Sequence, residues 1–191
     1  SYGSSFIDFD NDGDLDLYVT NYSKQNNLLY QNNGSGSFIE INNYLTNFSG
    51  SSLGQSWIDI DSDCDLDLFV SNGGEYSSEK NKLFIDSSGT YIMDITSPIY
   101  LNYGSSQSSN WGDYDNDGDL DLFIANLSGE NNFFYINNGN LNFTLSPPIA
   151  LNTDGHNSND ANWVDYDGDG DLDLFVANQS NERNLLYENI N

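Results

Sequence analysis

Aspartate recurs at every second position in four short segments, each following D-x-D-x-D-G-D-x-D, with cysteine replacing the glycine in the second segment. When such a segment curls, its alternate side chains converge, and carboxylate oxygens are the ligands that hard divalent cations prefer. The pattern therefore predicts one metal-binding loop per segment. The predicted metal-site residues are Asp8, Asp10, Asp12, Asp14 and Asp16; Asp59, Asp61, Asp63, Asp65 and Asp67; Asp113, Asp115, Asp117, Asp119 and Asp121; and Asp165, Asp167, Asp169, Asp171 and Asp173.

Each loop position has an expected role, described here for the first segment. Asp8 and the next two alternate aspartates supply side-chain oxygens to the cation. Gly13 permits the positive φ of a sharp turn. Asp14 offers its backbone carbonyl, and Asp16 closes the site with one or both carboxylate oxygens.

The donor set favours Ca²⁺, with up to four ions and one per repeat. Zinc prefers histidine and cysteine, of which the chain has only His156 and Cys64. Magnesium prefers fewer carboxylates and retains more water. An EF-hand needs glutamate at loop position 12 and flanking helices, whereas this position is apolar in all four segments. The residues there are Val19, Val70, Ile124 and Val176.

The second site is expected to bind its ion more weakly than the other three. Cys64 takes the place of the turn glycine, and a β-carbon in the left-handed region costs roughly 1–2 kcal/mol, or about tenfold in affinity. Because Cys64 is the only cysteine, an intrachain disulfide is excluded. Bound metal is therefore expected to stabilise the fold in place of disulfides.

The charge of the chain restricts its partners. The sequence has 30 acidic and 4 basic residues, for a formal net charge of −26. This excess argues against nucleic acid, which requires clustered lysine and arginine, and against an anionic membrane surface. Neither a signal peptide nor an apolar run long enough for a membrane-spanning helix is evident. We expect no nucleic-acid partner and no membrane insertion.

No catalytic constellation is evident, so the chain is expected not to be an enzyme. His156 is the only histidine, and no Ser–His–Asp or Cys–His pairing can be argued. A hydrolase that uses paired carboxylates is an alternative in so acidic a chain. However, the recurrent aspartates are already assigned to the metal loops.

The acidic segments belong to a longer internal repeat. Their first aspartates are 51, 54 and 52 residues apart. Each acidic loop lies between two short apolar segments with period-two alternation, and a third segment beginning with asparagine follows. In the second repeat the predicted strands are 57–60, 66–71, 82–85 and 90–95. No helical period or helix cap is evident.

Four strands in a repeat of this length are typical of propeller blades. The predicted fold is an all-β β-propeller of four-stranded antiparallel blades, in which the last of four repeats is incomplete. The repeats are placed at 4–54, 55–108, 109–160 and 161–191, within one domain over 1–191. Two explanations for the short fourth repeat stay open: a piece of a larger ring, or a blade with three strands.

The stretches WGDYDNDGDLDLFIAN and NNG resemble the FG-GAP/VCBS repeat family, particularly bacterial secreted repeats and the cartilage-acidic-protein group. The resemblance covers the whole chain. It implies the β-propeller of the integrin α-subunit head, with Ca²⁺ in the loop between the first two strands of each blade. It also implies extracellular adhesion or ligand binding, and carbohydrate binding in some relatives. Cys64, Phe6 in place of tryptophan, and the short fourth repeat depart from the family pattern.

Two groups of residues outside the acidic loops have expected roles. Aromatic residues before and after the loops are predicted to form the core between blades; they are Phe6, Trp57, Trp111 and Trp163, and Tyr18, Phe69, Phe123 and Phe175. Loops rich in Ser, Asn, Gly and Tyr, at 21–26, 72–81, 126–131 and 178–183, are predicted to form the face opposite the metal loops, together with the long connectors at 42–56, 97–110 and 147–162. The second of these loops carries an insertion near Glu75 and Tyr76.

Three functions fit these features. The first is a Ca²⁺-stabilised, secreted or cell-surface propeller that binds a protein or glycan without catalysis, since such sites suit millimolar extracellular Ca²⁺. The second is a structural subunit of a surface layer or fibre, with strand exchange and self-assembly through the incomplete fourth blade. The third is an accessory domain of a secreted hydrolase.

Overall fold

The computed structural model describes residues 1–74 and 77–190. The chain forms successive antiparallel sheets, each built from strands consecutive in sequence apart from one short insertion. Sheet 1 consists of β1 (Ser4–Ile7), β2 (Asp16–Val19), β3 (Leu28–Asn32) and β4 (Phe38–Ile41). Sheet 2 consists of β5 (Ser52–Ile58), β6 (Asp67–Asn72), β8 (Lys82–Ile85) and β9 (Ile92–Met93), and β7 (Glu79–Lys80) lies between β6 and β8 in sequence.

The second half of the chain repeats this order. Strand β10 (Tyr103–Gly104) pairs with β7 in a separate two-stranded ribbon. Sheet 3 consists of β11 (Ser106–Gly112), β12 (Asp121–Asn126), β13 (Phe133–Asn137) and β14 (Phe143–Leu145). Sheet 4, within the described residues, consists of β15 (Ser158–Val164), β16 (Asp173–Asn178) and β17 (Leu185–Tyr187). The expectation of an all-β chain with four-stranded antiparallel sheets is therefore confirmed.

In sheet 2 the fourth strand, Ile92–Met93, is shorter than the predicted 90–95, and the first strand is longer than predicted. This first strand begins at Ser52 rather than near Trp57, because the polar segment before Trp57 pairs along the full length of β6. Polar residues carry little β-propensity of their own, so pairing with a buried neighbour decides their conformation. The insertion predicted at Glu75 and Tyr76 lies outside the described residues.

Two short helical segments occupy connections in which no helix was expected. Helix α1 (Pro98–Leu101) begins after Ser97, whose Oγ accepts a hydrogen bond from the Ile99 backbone N–H at 3.2 Å. A 3₁₀ turn covers Ala150–Asn152. One turn of helix is too short to show a period in sequence. Within the described part of the chain, neither segment has the length and apolar character needed to cross a membrane.

The core lies between successive sheets rather than at a single centre. Three apolar clusters fill the gaps between sheets 1 and 2, sheets 2 and 3, and sheets 3 and 4. In β6 and β12 all six residues are buried, because sheets 2 and 3 have a neighbour on both sides. Sheets 1 and 4 are each covered on one face.

This arrangement corrects the expected burial of two aromatic residues. Phe6 and Phe175 were predicted to lie in the core, but their side chains are 61% and 38% exposed. Phe6 lies on the uncovered face of sheet 1, and Phe175 lies on that of sheet 4. Their six counterparts in the other repeats lie between two sheets, so the exposure reflects position in the stack rather than residue type.

Candidate metal centres

Each acidic loop joins the first two strands of its sheet, and each brings three carboxylates together. The first, third and ninth loop positions offer oxygen atoms that all lie within 4.8 Å of one another. All four repeats form such a triad, which could hold a metal ion. The triads are Asp8, Asp10 and Asp16; Asp59, Asp61 and Asp67; Asp113, Asp115 and Asp121; and Asp165, Asp167 and Asp173.

The aspartate at the ninth loop position is the member of each triad that the surrounding structure holds most firmly. It is the first residue of the second strand, and it is buried in every repeat. In sheet 3 the Asp121 carboxylate accepts backbone N–H bonds from Tyr114 at 2.9 Å and from Asn137 at 2.8 Å. Equivalent pairs of bonds hold the other three ninth aspartates. These bonds orient the carboxylate toward the loop without any contribution from a cation.

The first aspartate shapes the loop from its other end. Asp8 accepts N–H bonds from Asp12 at 3.0 Å and Gly13 at 2.9 Å, which draws the turn over the triad. The same two bonds recur in the second and third loops. In the fourth loop, Gly170 donates to Asp165 as Gly13 does to Asp8, and Gly168 provides the second bond in place of Asp169.

The fifth and seventh aspartates are not part of the triads. Each fifth aspartate accepts a bond from the backbone N–H two residues later, as Asp12 does from Asp14 at 2.9 Å. These residues are Asp12, Asp63, Asp117 and Asp169. The seventh are Asp14, Asp65, Asp119 and Asp171. Two of these contact the neighbouring loop, where asparagine amides donate to Asp65 and Asp171. Metal ligation by the fifth and seventh positions stays a prediction.

In the first three repeats, burial of the ninth aspartate raises its pKa and so disfavours its charged form. Burial raises the pKa of Asp67 to about 7 and that of Asp121 to about 6, although backbone N–H bonds partly offset the effect. Burial also raises the pKa of Asp16. The neighbouring loop carboxylates add smaller shifts in the same direction. A divalent cation in the triad would supply the opposite charge that this group of carboxylates needs.

The donor chemistry fits a hard cation. Carboxylates are the only ligands in the triads, and oxygen donors suit Ca²⁺, Mg²⁺ or Mn²⁺ rather than zinc. His156 pairs instead with Asp154, at 3.4 Å between Nδ1 and Oδ2. The triads are accessible to an ion, because the aspartates at the first and third loop positions are partly or fully exposed in all four repeats.

Comparison with protein families decides the assignment. The model of the FG-GAP-like repeat matches residues 8–70 and 113–176, about two thirds of the chain. The chain belongs to the FG-GAP-like repeat family. Each matched segment of this FG-GAP chain begins at the first aspartate of one acidic loop, and it ends in the strand that follows the next acidic loop. Among curated proteins, none matches the chain significantly.

Cys64 occupies the turn position at which the other three acidic loops have glycine. The backbone φ is +74° at Cys64, close to the +90°, +96° and +100° of Gly13, Gly118 and Gly170. A β-carbon built at any of these three glycines meets nothing within 4 Å. The penalty at this position is therefore conformational strain rather than a steric clash.

We expect Cys64→Gly to strengthen the second site by about tenfold, because it removes strain that opposes the metal-binding turn. Calorimetric titration with Ca²⁺ would measure the affinity of the weakest site before and after the change. Gly118→Cys is the matched reverse variant and should weaken the third site by a similar factor. Unchanged affinities in both variants would contradict this explanation.

Sequence reasoning missed the asparagine that precedes the third strand of each repeat. Asn27, Asn81 and Asn132 each accept a backbone N–H bond at 2.8 Å from an asparagine at or just after the end of the second strand. Their amides also donate to a serine in the next sheet. The signal was present in the sequence, since asparagine recurs at this position in all four repeats.

Proposed function

We propose that this FG-GAP chain is a Ca²⁺-stabilised, extracellular module of the β-propeller type that binds a glycan or protein without catalysis. The main support for the proposal is that the two ends of the sheets carry different groups of residues. Carboxylate triads occupy the loops at one end of the sheets. At the other end, residues from all four sheets line one shared cavity.

The shared cavity supports a propeller arrangement. It has a volume of about 340 Å³, and its lining residues lie in, or within three residues of, the first and second strands of all four sheets. The first strands of sheets 2, 3 and 4 also lie side by side, with β11 in contact with both β5 and β15. Sheets that share an axis through their first strands are arranged as the blades of a propeller are.

Calcium is the cation that we propose for the triads. Three converging carboxylates give a high negative charge, and the open loop leaves room for further oxygen ligands, which Ca²⁺ accepts more readily than Mg²⁺. Open loops without flanking sensor helices suit the millimolar Ca²⁺ found outside cells. This is the argument for an extracellular location.

The cavity is the ligand site that we propose, and its chemistry favours a glycan. Tyr2 and Tyr22 line it with ring centroids 6.0 Å apart, and Gln107, Asn159 and Gln179 add amide groups. Aromatic rings provide apolar faces on which a sugar ring can lie, and amides both donate and accept hydrogen bonds to hydroxyl groups. Such sites usually combine apolar walls with a few converging polar groups.

The proposal is tested by titrating the Ca²⁺-loaded protein with neutral oligosaccharides of glucose, galactose, mannose and N-acetylglucosamine, followed by NMR. We expect at least one sugar to shift the resonances of cavity residues, and Tyr22→Ala to weaken its binding by about tenfold or more. Tyr103→Ala removes an exposed tyrosine outside the cavity and should leave binding unchanged. If no sugar shifts these resonances, or if both variants bind equally, the glycan proposal is wrong.

A further inference from the structure

The contact between neighbouring sheets occurs three times, and each time it is formed by residues at equivalent positions of the repeat. We define the front face of a sheet as the one carrying the tryptophan, or Phe6, of its first strand, and the rear face as the opposite one. At each contact, an aromatic ring on the rear face of one sheet meets the tryptophan on the front face of the next, edge to face. The pairs are Tyr18 with Trp57, Phe69 with Trp111 and Phe123 with Trp163, with centroids 5.5, 5.9 and 6.4 Å apart.

A hydrogen bond between amide and serine accompanies each aromatic pair. Asn27, Asn81 and Asn132 belong to the sheet with the rear face, and each donates through Nδ2 to a serine Oγ of the next sheet. The acceptors are Ser52, Ser106 and Ser158, at distances of 3.1, 3.0 and 3.0 Å. Each contact therefore combines an aromatic pair with a hydrogen bond between asparagine and serine.

The two end sheets carry the separate halves of a fourth contact of this kind. Phe175 and Leu186 lie on the rear face of sheet 4, where they are 38% and 50% exposed, whereas their counterparts in sheets 1 to 3 are fully buried. Asn184 is held like the other three asparagines and accepts the Asn178 N–H at 2.9 Å. These residues place an aromatic ring and an amide at the positions equivalent to those of the three internal contacts.

The front face of sheet 1 presents the complementary half. Phe6 replaces the tryptophan and is 61% exposed. Ser1 precedes Phe6 by the same five positions by which Ser52 precedes Trp57. Leu17 and Val19, whose counterparts in sheets 2 to 4 are buried, line a shallow apolar cavity beside Phe6. Each uncovered face therefore matches a face at the other end of the same chain.

We propose that this chain associates head to tail with a second copy, with the rear face of sheet 4 packed on the front face of sheet 1 of its partner. A contact between two different faces is heterologous, and it closes into a ring when the rotation allows. In a closed pair of chains, the rear face of each sheet 4 would be covered by the front face of sheet 1 of the other copy. The second copy is the occupant we choose because its faces offer the residues that form the aromatic and asparagine–serine contacts between the internal sheets.

Charge sets the conditions under which this contact forms. Two chains with a formal net charge of −26 each repel one another, and salt screens that repulsion. Four bound Ca²⁺ ions would reduce the charge to −18 per chain, so association is expected to be strongest with Ca²⁺ at physiological salt. Only this charge argument rests on the proposed Ca²⁺ binding; the matching faces do not.

The test is sedimentation analysis of the Ca²⁺-loaded protein over a wide range of concentration, with Phe6→Lys and Phe175→Glu. The wild-type chain is expected to form a dimer, and each variant alone to weaken it by at least about tenfold. An equimolar mixture of the two should restore the dimer. One of its contacts then pairs the new lysine with the new glutamate, and the other contact is wild type.

The control is Ile92→Glu, which alters a side chain in sheet 2 that is 61% exposed, the same fraction as Phe6. This variant should dimerise like the wild type, and circular dichroism should show that all three variants are folded. The proposal is overturned by a wild-type chain that stays monomeric in Ca²⁺, by a dimer that neither variant weakens, or by variants that fail to complement each other. A larger assembly lost in both variants would support the contact and contradict closure by two copies.

Discussion

Replacing Asp121 by asparagine is expected to remove the metal from the third loop and to lower the free energy of unfolding by about 2–4 kcal/mol in Ca²⁺. Asp121 is fully buried, and its two oxygens accept N–H bonds from Tyr114 and Asn137. An asparagine has one oxygen and an NH₂ group, so it leaves one of these donors unsatisfied. It also removes the charge that the proposed cation requires.

Unfolding in a chelator separates the contribution that Asp121 makes through its hydrogen bonds from the contribution that it makes through metal binding. Burial raises the pKa of its carboxyl to about 6, so its charged form is disfavoured in the absence of a cation. The asparagine variant should therefore cost clearly less in a chelator than in Ca²⁺, as measured by denaturant unfolding. Glu40→Gln, which neutralises an exposed carboxylate on β4, should have little effect in either condition. Equal losses in Ca²⁺ and chelator would contradict a metal role for Asp121.

Replacing Trp111 by alanine is expected to destabilise the chain by about 3–5 kcal/mol, because it leaves a cavity between sheets 2 and 3. The ring packs against Phe69 at 5.9 Å and Phe143 at 6.1 Å between centroids. Trp111→Phe should cost much less, about 1 kcal/mol. Phenylalanine fills most of the space, and within the described residues the buried Trp111 Nε1 has no hydrogen-bond partner to lose.

The control for this prediction is Phe6→Ala, at the equivalent position of the first repeat. Because Phe6 is largely exposed, this change should alter the stability of the monomer by no more than about 0.5 kcal/mol. Urea unfolding at protein concentrations too low for association would measure all three variants. A loss for Phe6→Ala as large as that for Trp111→Ala would mean that sheet 1 is covered on both faces, contrary to the structure.

The sequence was informative wherever a residue's role follows from local spacing. The repeat of alternate aspartates located all four loops, and the apolar segments beside them located the second and third strands of each sheet. Asp16 was predicted from its loop position to close the first site, and the structure places it in the first carboxylate triad. The FG-GAP-like family match confirms the resemblance found in these stretches.

Features that depend on neighbours in space could not be predicted in the same way. Phe6 and Phe175 have the residue types of a core, and only their place at the ends of the stack exposes them. The polar start of β5 forms a strand because β6 lies beside it. Asp12 accepts a hydrogen bond from the Asp14 backbone N–H and lies outside the triad, an orientation that spacing alone does not predict. Its ligation of a metal stays a prediction.

Thermal unfolding in Ca²⁺, in Mg²⁺ and in a chelator tests most directly the claim that the acidic loops are structural calcium sites. An ion that binds only the folded state adds about 2.7 kcal/mol per site at a hundredfold excess over Kd. We therefore expect a large increase in Tm with Ca²⁺ and a much smaller one with Mg²⁺ at the same concentration. The same Tm in Ca²⁺ and in chelator would contradict the account, because the four carboxylate triads would then contribute no metal-dependent stability.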